Sequence, residues 1–130
     1  MKLAYLDTSC LVAVALGEEG AADVAEHLRG YDFLAASNLL EAELRSVLAR
    51  EQVEEDPSPL LEGIAWVHPD RALSSELQDV VRQGYVRGAD LWHLACASFL
   101  RRKLSSLEFL TLDKTQDRVA RALGFETPLG

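Results

Sequence analysis

Leu3-Ala4-Tyr5-Leu6-Asp7-Thr8-Ser9 is the stretch from which the fold can be worked out. Four apolar residues run without a break and then meet a carboxylate. A short, unbroken apolar run predicts a strand that is buried on both faces, as in a parallel sheet. Thr8 and Ser9 then suit the cap of a helix that begins near Cys10. Because open α/β sheets bind ligands at the carboxyl ends of their strands, we expect Asp7 to belong to a site at that edge.

Strand and helix patterns alternate through the rest of the chain. Short, mainly apolar runs at 33–36, 64–67 and 108–112 predict three more strands, and residues 125–127 are a candidate for a last edge strand. The segments between these runs have helical patterns. The sequence therefore predicts an α/β fold in three layers, α/β/α, with a central parallel sheet of four to five strands. A length of 130 residues indicates a single domain over residues 1–130.

Composition limits where the protein works. No apolar run approaches the ~20 residues that a membrane helix needs, and no signal-peptide pattern follows Lys2. Cys10 and Cys96 lie in apolar helical contexts and suit small core residues in a reducing cytosol. We therefore expect a cytoplasmic protein without a membrane association.

Three further acids stand at places comparable to that of Asp7. Asp113 follows the fourth predicted strand just as Asp7 follows the first. Glu43 lies near the start of an amphipathic helix, where it borders the apolar face, and Asp90 lies in the first turn of the most apolar helix. In a parallel sheet these four positions converge on one edge.

Each of the three also has an ordinary structural explanation. An acid in a first turn, such as Asp90, is favoured by the helix dipole. Asp113 forms a capping pattern with Gln116, three residues on. Glu43 can extend its carboxylate into water or pair with an arginine. It is the set of four, and no single member, that points to a shared site.

Carboxylates gathered at one edge repel one another. At ~4 Å and an effective dielectric constant of about 20, each pair of like charges costs up to ~4 kcal/mol. Such a cluster needs protons or a cation, and oxygen-only ligands select the hard ions Mg²⁺ or Mn²⁺. The chemistry that this kind of site supports is phosphodiester hydrolysis, in which the metal activates water and stabilises charge on the phosphate and the leaving oxygen.

Four acidic motifs occur in order along nearly the whole chain: Leu6-Asp7-Thr8-Ser9, Ser37 with Glu43-Leu44, Asp90-Leu91-Trp92-His93-Leu94-Ala95 and Leu110-Thr111-Leu112-Asp113. Together they resemble the motifs of the PIN-domain family, and most closely the VapC-type toxins of bacterial toxin–antitoxin pairs. The resemblance implies a PIN-like three-layer domain that acts as a Mg²⁺- or Mn²⁺-dependent endoribonuclease on RNA. It further implies a homodimer and inhibition by a small antitoxin protein.

By motif position, the resemblance implies that Asp7, Glu43 and Asp90 are the core catalytic metal ligands. Asp113 is then the fourth acid and binds the metal directly or through water. All four are expected to be needed for catalysis.

Other residues near these motifs are less clearly assigned. The resemblance implies that Thr111 holds water in the site. Leu112 stands where a polar residue is frequent in the family, and no aromatic residue soon follows Asp113, so the contacts to substrate are open at this point. Asp117, one turn further, either faces the same pocket or is a solvated helix residue. We expect His93 to be a hydrogen-bonded core histidine.

The net charge of −8 is unevenly distributed. Residues 1–81 carry a balance of −11 and residues 82–121 one of +4. Overall acidity argues against non-specific nucleic-acid binding, whereas a local basic surface permits contact with a phosphate backbone. The candidates to flank the acidic pocket and hold RNA are Arg82, Arg87, Arg101, Arg102 and Lys103. The alternative is two differently solvated faces.

Other functions fit the sequence less well. A phosphatase of the haloacid dehalogenase type needs a second aspartate where this chain has Ser9, and no glycine-rich nucleotide loop follows the first strand. A non-enzymatic alternative is a PIN-like module that binds RNA or protein without cutting, although such a module does not need four repelling acids. An antitoxin would bind an apolar groove, expected between the first helices and the helix at 39–52.

Overall fold

The computed structural model describes all residues, 1–130, as a four-stranded sheet with seven helices. The strands are β1 (Leu3–Leu6), β2 (Phe33–Ser37), β3 (Ile64–Val67) and β4 (Leu107–Leu110). The helices are α1 (Thr8–Leu16), α2 (Ala21–Arg29), α3 (Leu39–Arg50), α4 (Ser58–Leu61), α5 (Ser74–Gln83), α6 (Gly88–Arg101) and α7 (Lys114–Ala122). None of the helices is long and apolar enough to cross a lipid bilayer.

The sheet is parallel throughout, with the strand order β3-β2-β1-β4. β1 is an interior strand, and its Leu3 is in register with Phe33 of β2 on one side and with Leu107 of β4 on the other. The prediction of a strand buried within a parallel sheet is therefore confirmed for residues 3–6. All four strands end at the same edge.

Alternate residues of β1 enter two separate cores, one on each face of the sheet. Ala4 and Leu6 pack with apolar residues of α1, α2 and α3, among them Leu44. Tyr5 packs on the other face with α5, α6 and α7, in a core that includes Phe109. Because the side chains of a strand alternate between faces, one apolar run supplies both cores. The three-layer α/β/α arrangement is thus confirmed.

The last predicted strand is not formed. Residues 125–127 make one sheet-like hydrogen bond, from the Phe109 amide to the Glu126 carbonyl at 2.9 Å, and do not continue. Pro128 has no amide proton to extend the pairing, and the Gly130 amide instead turns back to the Thr127 carbonyl. The sheet accordingly has four strands, the lower of the expected numbers.

α1 begins earlier than the sequence predicts. Asp7, with β-region backbone angles, is itself the N-cap, and its carboxylate accepts a hydrogen bond from the Ser9 amide. Thr8 and Ser9 are consequently the first residues of the helix. At the other end, Gly17 adopts φ of 62° and closes α1 with its amide bonded to the carbonyls of Ala13 and Val14. The acid that ends β1 is therefore fixed at the start of α1.

Candidate functional site

One cleft of about 370 Å³ lies at the carboxyl edge of the sheet, and the four predicted acids all line it. They come from different elements: Asp7 follows β1, Glu43 is on α3, Asp90 is in the first turn of α6, and Asp113 caps α7. The other lining residues are Thr8, Ser9, Val12, Glu18, Val47, Arg87, His93, Leu112 and Gln116. The structure therefore brings all four acids to one place.

Asp7 lies deepest, with a side chain held by hydroxyl groups. One carboxylate oxygen accepts hydrogen bonds from the amide and hydroxyl of Ser9, at 3.1 and 2.5 Å. The other accepts from the Thr111 hydroxyl at 2.6 Å. Burial raises the pKa of the Asp7 carboxyl to about 6, although the hydrogen bonds from Ser9 and Thr111 act in the opposite direction. A buried acid with no salt-bridge partner is thus held at the end of β1.

Glu43 is more exposed and is held by two donors on a single oxygen. Its Oε1 lies 2.6 Å from Nε2 of His93 and 2.6 Å from the Thr8 hydroxyl. Burial opposes ionisation of Glu43, but the hydrogen bonds from His93 and Thr8 outweigh it, so the pKa of the carboxyl is lowered. Glu41, two residues earlier, instead pairs with Arg45 at 2.7 Å on the solvent side, as its spacing predicts.

Asp90 and Asp113 face each other across the starts of α6 and α7. Burial, followed by the negative charge of Asp113, raises the pKa of the Asp90 carboxyl. Asp113 caps α7 by accepting the Gln116 amide at 2.9 Å, so its structural explanation is also correct. The Gln116 side chain does not complete the capping box, because its amide nitrogen reaches the Asp90 carbonyl at 3.3 Å. Gln116 thereby ties the two helix starts together.

Several polar residues of the cleft have functions that the sequence reasoning did not find. Ser9 bridges the ends of β1 and β4, because its hydroxyl also accepts the Leu112 amide at 2.9 Å. Thr111 binds Asp7 directly and accepts the Asp113 amide at 3.0 Å, so its contact is to a carboxylate. The only indication in the sequence was a small hydroxyl residue two positions from each of these aspartates, Ser9 near Asp7 and Thr111 near Asp113.

His93 is almost fully buried and hydrogen-bonded, as expected, with 1% of its surface exposed. Its Nδ1 lies 2.9 Å from the Tyr5 hydroxyl and its Nε2 contacts Glu43. It is therefore both a core residue and a direct neighbour of the acidic cleft. Spacing along α6 could not reveal this, since both partners are distant in sequence.

The donor set of the cleft fits a hard divalent cation. The acids offer oxygen ligands, and none of Asp7, Asp90 and Asp113 forms a salt bridge within the chain. However, no three acidic, histidine or cysteine side chains lie close enough to hold one ion directly. Mg²⁺ usually keeps several waters and takes only one or two carboxylates. The cleft therefore fits a partly hydrated ion better than a cage of carboxylates.

The basic residues of the second half are not gathered at the cleft. Arg87 lines it, just before Asp90. Arg101 lies at the far end of α6, about 16 Å along the helix axis from Asp90, where it stacks over the Phe125 ring at 3.8 Å. Arg102, beside it, pairs with the buried Glu76 at 3.3 Å. The hypothesis that residues 101–103 flank the acids is therefore wrong, because they occupy the opposite end of their helix.

Asp117 does not line the cleft. One of its oxygens binds Arg121 at 3.0 Å across one helical turn, and the other is buried close to the C-terminal Gly130. Of the two interpretations of Asp117, the structure favours a helix residue outside the site.

The domain is a parallel sheet between two helix layers, with acids at its carboxyl edge. Residues 4–122 match the family model of the PIN domain, and the chain belongs to the PIN-domain family. No curated protein matches the chain. PIN domains are typically metal-dependent nucleases that act on RNA and usually use divalent metals. The family resemblance drawn from the four acidic motifs is thus confirmed.

Proposed function

We propose that this protein is a divalent-metal-dependent endoribonuclease, the toxin of a type II toxin–antitoxin pair, and that Asp7, Glu43, Asp90 and Asp113 form its catalytic metal site. The observation that carries the proposal is the convergence of these acids, from four separate elements, on one cleft. Repulsion between them and the burial of Asp7 are unfavourable for folding alone. A binding site for Mg²⁺ or Mn²⁺ would explain both the clustering of the acids and the burial of Asp7.

Each acid has a distinct place in the proposed site. Asp7 keeps one acceptor position free on Oδ2, because the other positions of its carboxylate bind Ser9 and Thr111. Glu43 keeps Oε2 free of hydrogen bonds from the chain. Asp90 lies close enough to Asp113 for the two charges to repel. When bound, the cation supplies Lewis-acid activation of water and of the scissile phosphate.

Arg87 supports RNA binding. Apart from His93, it is the only basic residue that lines the cleft. Arg87 is exposed and lines the cleft without an ion-pair partner in the chain, so its guanidinium is available for a phosphate. Tyr85, two residues before Arg87, is 81% exposed. An exposed aromatic ring next to a phosphate-binding arginine suits base stacking on single-stranded RNA.

An antitoxin partner is supported by an apolar groove of about 290 Å³ on the α1–α2 side. Leu11 and Val14 of α1 and Leu28 of α2 line it together with Leu60 and Ile64. This is close to the expected position, although β3 and α4, instead of α3, form its other wall. Co-purification with the product of an adjacent reading frame tests the partner, and sedimentation of the purified chain tests the proposed homodimer. A cytoplasmic location is part of the same proposal.

The central experiment compares metal binding with RNA cleavage. We expect single-stranded RNA to be cut in millimolar Mg²⁺ or Mn²⁺ and left intact in EDTA. Asp7→Asn is expected to lower the rate by about 100-fold or more, whereas Asp79→Asn, a half-exposed site on α5, leaves it unchanged. Saturating Mn²⁺ should also raise the melting temperature of the wild type and not that of Asp7→Asn.

The outcomes separate the alternatives. Metal-dependent stabilisation with RNA binding but no cleavage would favour a PIN-like binding module. If Mn²⁺ neither stabilises the wild type nor supports cleavage, the proposed metal site is wrong. Cleavage that persists in Asp7→Asn would show that the activity comes from another site or a contaminant.

A further inference from the structure

We propose that Tyr5, His93 and Thr8 form a hydrogen-bond chain of fixed direction that positions the Glu43 carboxylate, with one oxygen held and the other left for the cation. This inference rests on the proposed function, since it assigns a purpose to groups around the proposed metal site. His93 is accordingly a positioning residue, because it acts through Glu43.

The chain joins five elements of the fold: β1, β2, α1, α3 and α6. The amide of Ser37, at the end of β2, donates to the Tyr5 hydroxyl at 3.1 Å. The Tyr5 hydroxyl lies 2.9 Å from Nδ1 of His93, and Nε2 of His93 lies 2.6 Å from Oε1 of Glu43. Thr8, at the start of α1, donates to the same Oε1 at 2.6 Å. A backbone group of the sheet is thereby connected to a carboxylate on α3.

The direction of the chain follows from the donors available. Tyr5 is fully buried, and the only acceptor near its hydroxyl proton is Nδ1 of His93. A tyrosine hydroxyl carries its proton at neutral pH, so it needs an acceptor. If Nδ1 carried a proton of its own, the Tyr5 hydroxyl would be a buried donor without a partner, which is unfavourable. We therefore assign His93 as the neutral tautomer protonated at Nε2, which donates to Glu43.

The consequence for Glu43 is that its two oxygens differ. Oε1 accepts from both His93 and Thr8, which uses both of its lone pairs. Oε2 accepts no hydrogen bond from the chain and is left for other ligands. The Tyr5 ring is itself fixed by stacking on Phe109, with centroids 5.6 Å apart. A flexible glutamate is thus held in one orientation by rigid, buried neighbours.

The first test is the tautomer of His93. Ring ¹⁵N–¹H correlation spectra of histidine-labelled protein, recorded without metal near neutral pH, report which nitrogen carries the proton. His27→Gln and the exposed His68→Gln assign the remaining signals to His93. We expect a protonated Nε2 and a bare Nδ1, and Tyr5→Phe should allow the other tautomer to appear. A proton on Nδ1 in the wild type, alone or with Nε2, would overturn the proposed direction.

The second test is the affinity for Mn²⁺ alone, measured by calorimetry. His93→Leu is expected to weaken binding about 10- to 100-fold, and Thr8→Val and Tyr5→Phe by smaller factors. His93→Gln should stay within about threefold of the wild type, because its amide can accept from Tyr5 and donate to Glu43. In a Glu43→Gln background, His93→Leu should cause no further loss. His68→Gln is the control.

Different results separate the inference from the proposed function. If His93→Gln binds Mn²⁺ as weakly as His93→Leu, His93 acts by packing alone and the inference is wrong. If the wild type binds Mn²⁺ and none of the variants weakens it, the inference fails while the proposed metal site stands. If the wild type itself binds no Mn²⁺, both fail. Should His93→Leu not fold, Thr8→Val and Tyr5→Phe decide the question.

Discussion

Replacing Asp7 with asparagine is expected to stabilise the metal-free protein while removing a proposed metal ligand. The pKa of the Asp7 carboxyl is raised from 3.8 to about 6, chiefly by burial, and the side chain is only 3% exposed. Each pKa unit corresponds to about 1.4 kcal/mol, so ionised Asp7 destabilises the native state by about 3 kcal/mol at neutral pH. The substituted amide is uncharged, and its oxygen can keep the hydrogen bond from the Ser9 amide.

The effect has a defined dependence on pH. Since the pKa of Asp7 is higher in the folded than in the unfolded chain, the native state binds more protons between about pH 4 and pH 6. Stability therefore falls as the pH rises through this window, and the penalty is fully present above it. Asp7→Asn lacks this titration, so its advantage over the wild type should appear between about pH 4 and pH 6 and then level off.

Urea unfolding in EDTA, followed by circular dichroism from about pH 4 to pH 7.5, measures the difference. An advantage of about 3 kcal/mol corresponds to roughly 10 °C in melting temperature for a chain of this size. Asp79→Asn, half-exposed on α5 and paired with Arg82, is the control and should show little change. Lower stability of Asp7→Asn than of the wild type at neutral pH would contradict this prediction, as would an equally large advantage at pH 4. Saturating Mn²⁺ should reverse the order of the two proteins.

Two further predictions concern charges outside the acids of the cleft. Arg87→Gln should weaken RNA binding and reduce the slope of log affinity against log salt concentration by about one unit. Arg50→Gln, at an exposed position on α3, is the control and should keep the wild-type slope. Equal slopes for the wild type and both variants would exclude a phosphate contact at Arg87. Glu76, fully buried and bonded to Arg71 at 2.6 Å, has a pKa lowered to about 2 by that hydrogen bond, against burial. Glu76→Gln should therefore lower the free energy of unfolding by about 2 kcal/mol at neutral pH, measured by urea unfolding. The difference from the wild type should disappear as the pH falls from about 4.5 towards 2. A loss of stability that persists in acid would indicate a packing effect instead.

The sheet could be predicted from sequence because each strand is a short, local pattern. An unbroken apolar run such as Leu3–Leu6 indicates a strand that is buried on both faces. A strand of this kind lies in the interior of a parallel sheet, as β1 does. The edge segment at 125–127 could not be decided, because a single backbone bond to Phe109 distinguishes it from a strand. Whether the chain continues pairing there depends on Pro128 and the turn beyond it.

The acids of the cleft could be located because a parallel sheet collects its strand ends at one edge. Their partners could not, since a hydrogen bond such as that of Tyr5 to His93 joins residues 88 positions apart. Helix periodicity placed His93 correctly in the core but carries no information about what meets it there. The same limit applies to Arg101, whose charge was visible in the sequence while its position at the far end of α6 was not.

The capping and metal-binding explanations of the aspartates, which looked like alternatives in the sequence, describe the same geometry. Asp7 and Asp113 each follow a strand and cap the next helix, with one oxygen accepting a helix amide. A helix N-terminus favours a negative charge, so it can hold a carboxylate at the sheet edge when no cation shares it. Each carboxylate has a second oxygen that accepts no helix amide. In Asp7 this oxygen accepts the Thr111 hydroxyl, and in Asp113 it has no hydrogen bond from the chain. Capping therefore pre-forms the proposed site. Burial, followed by repulsion from Asp113, raises the pKa of the Asp90 carboxyl, and a divalent ion would relieve that repulsion.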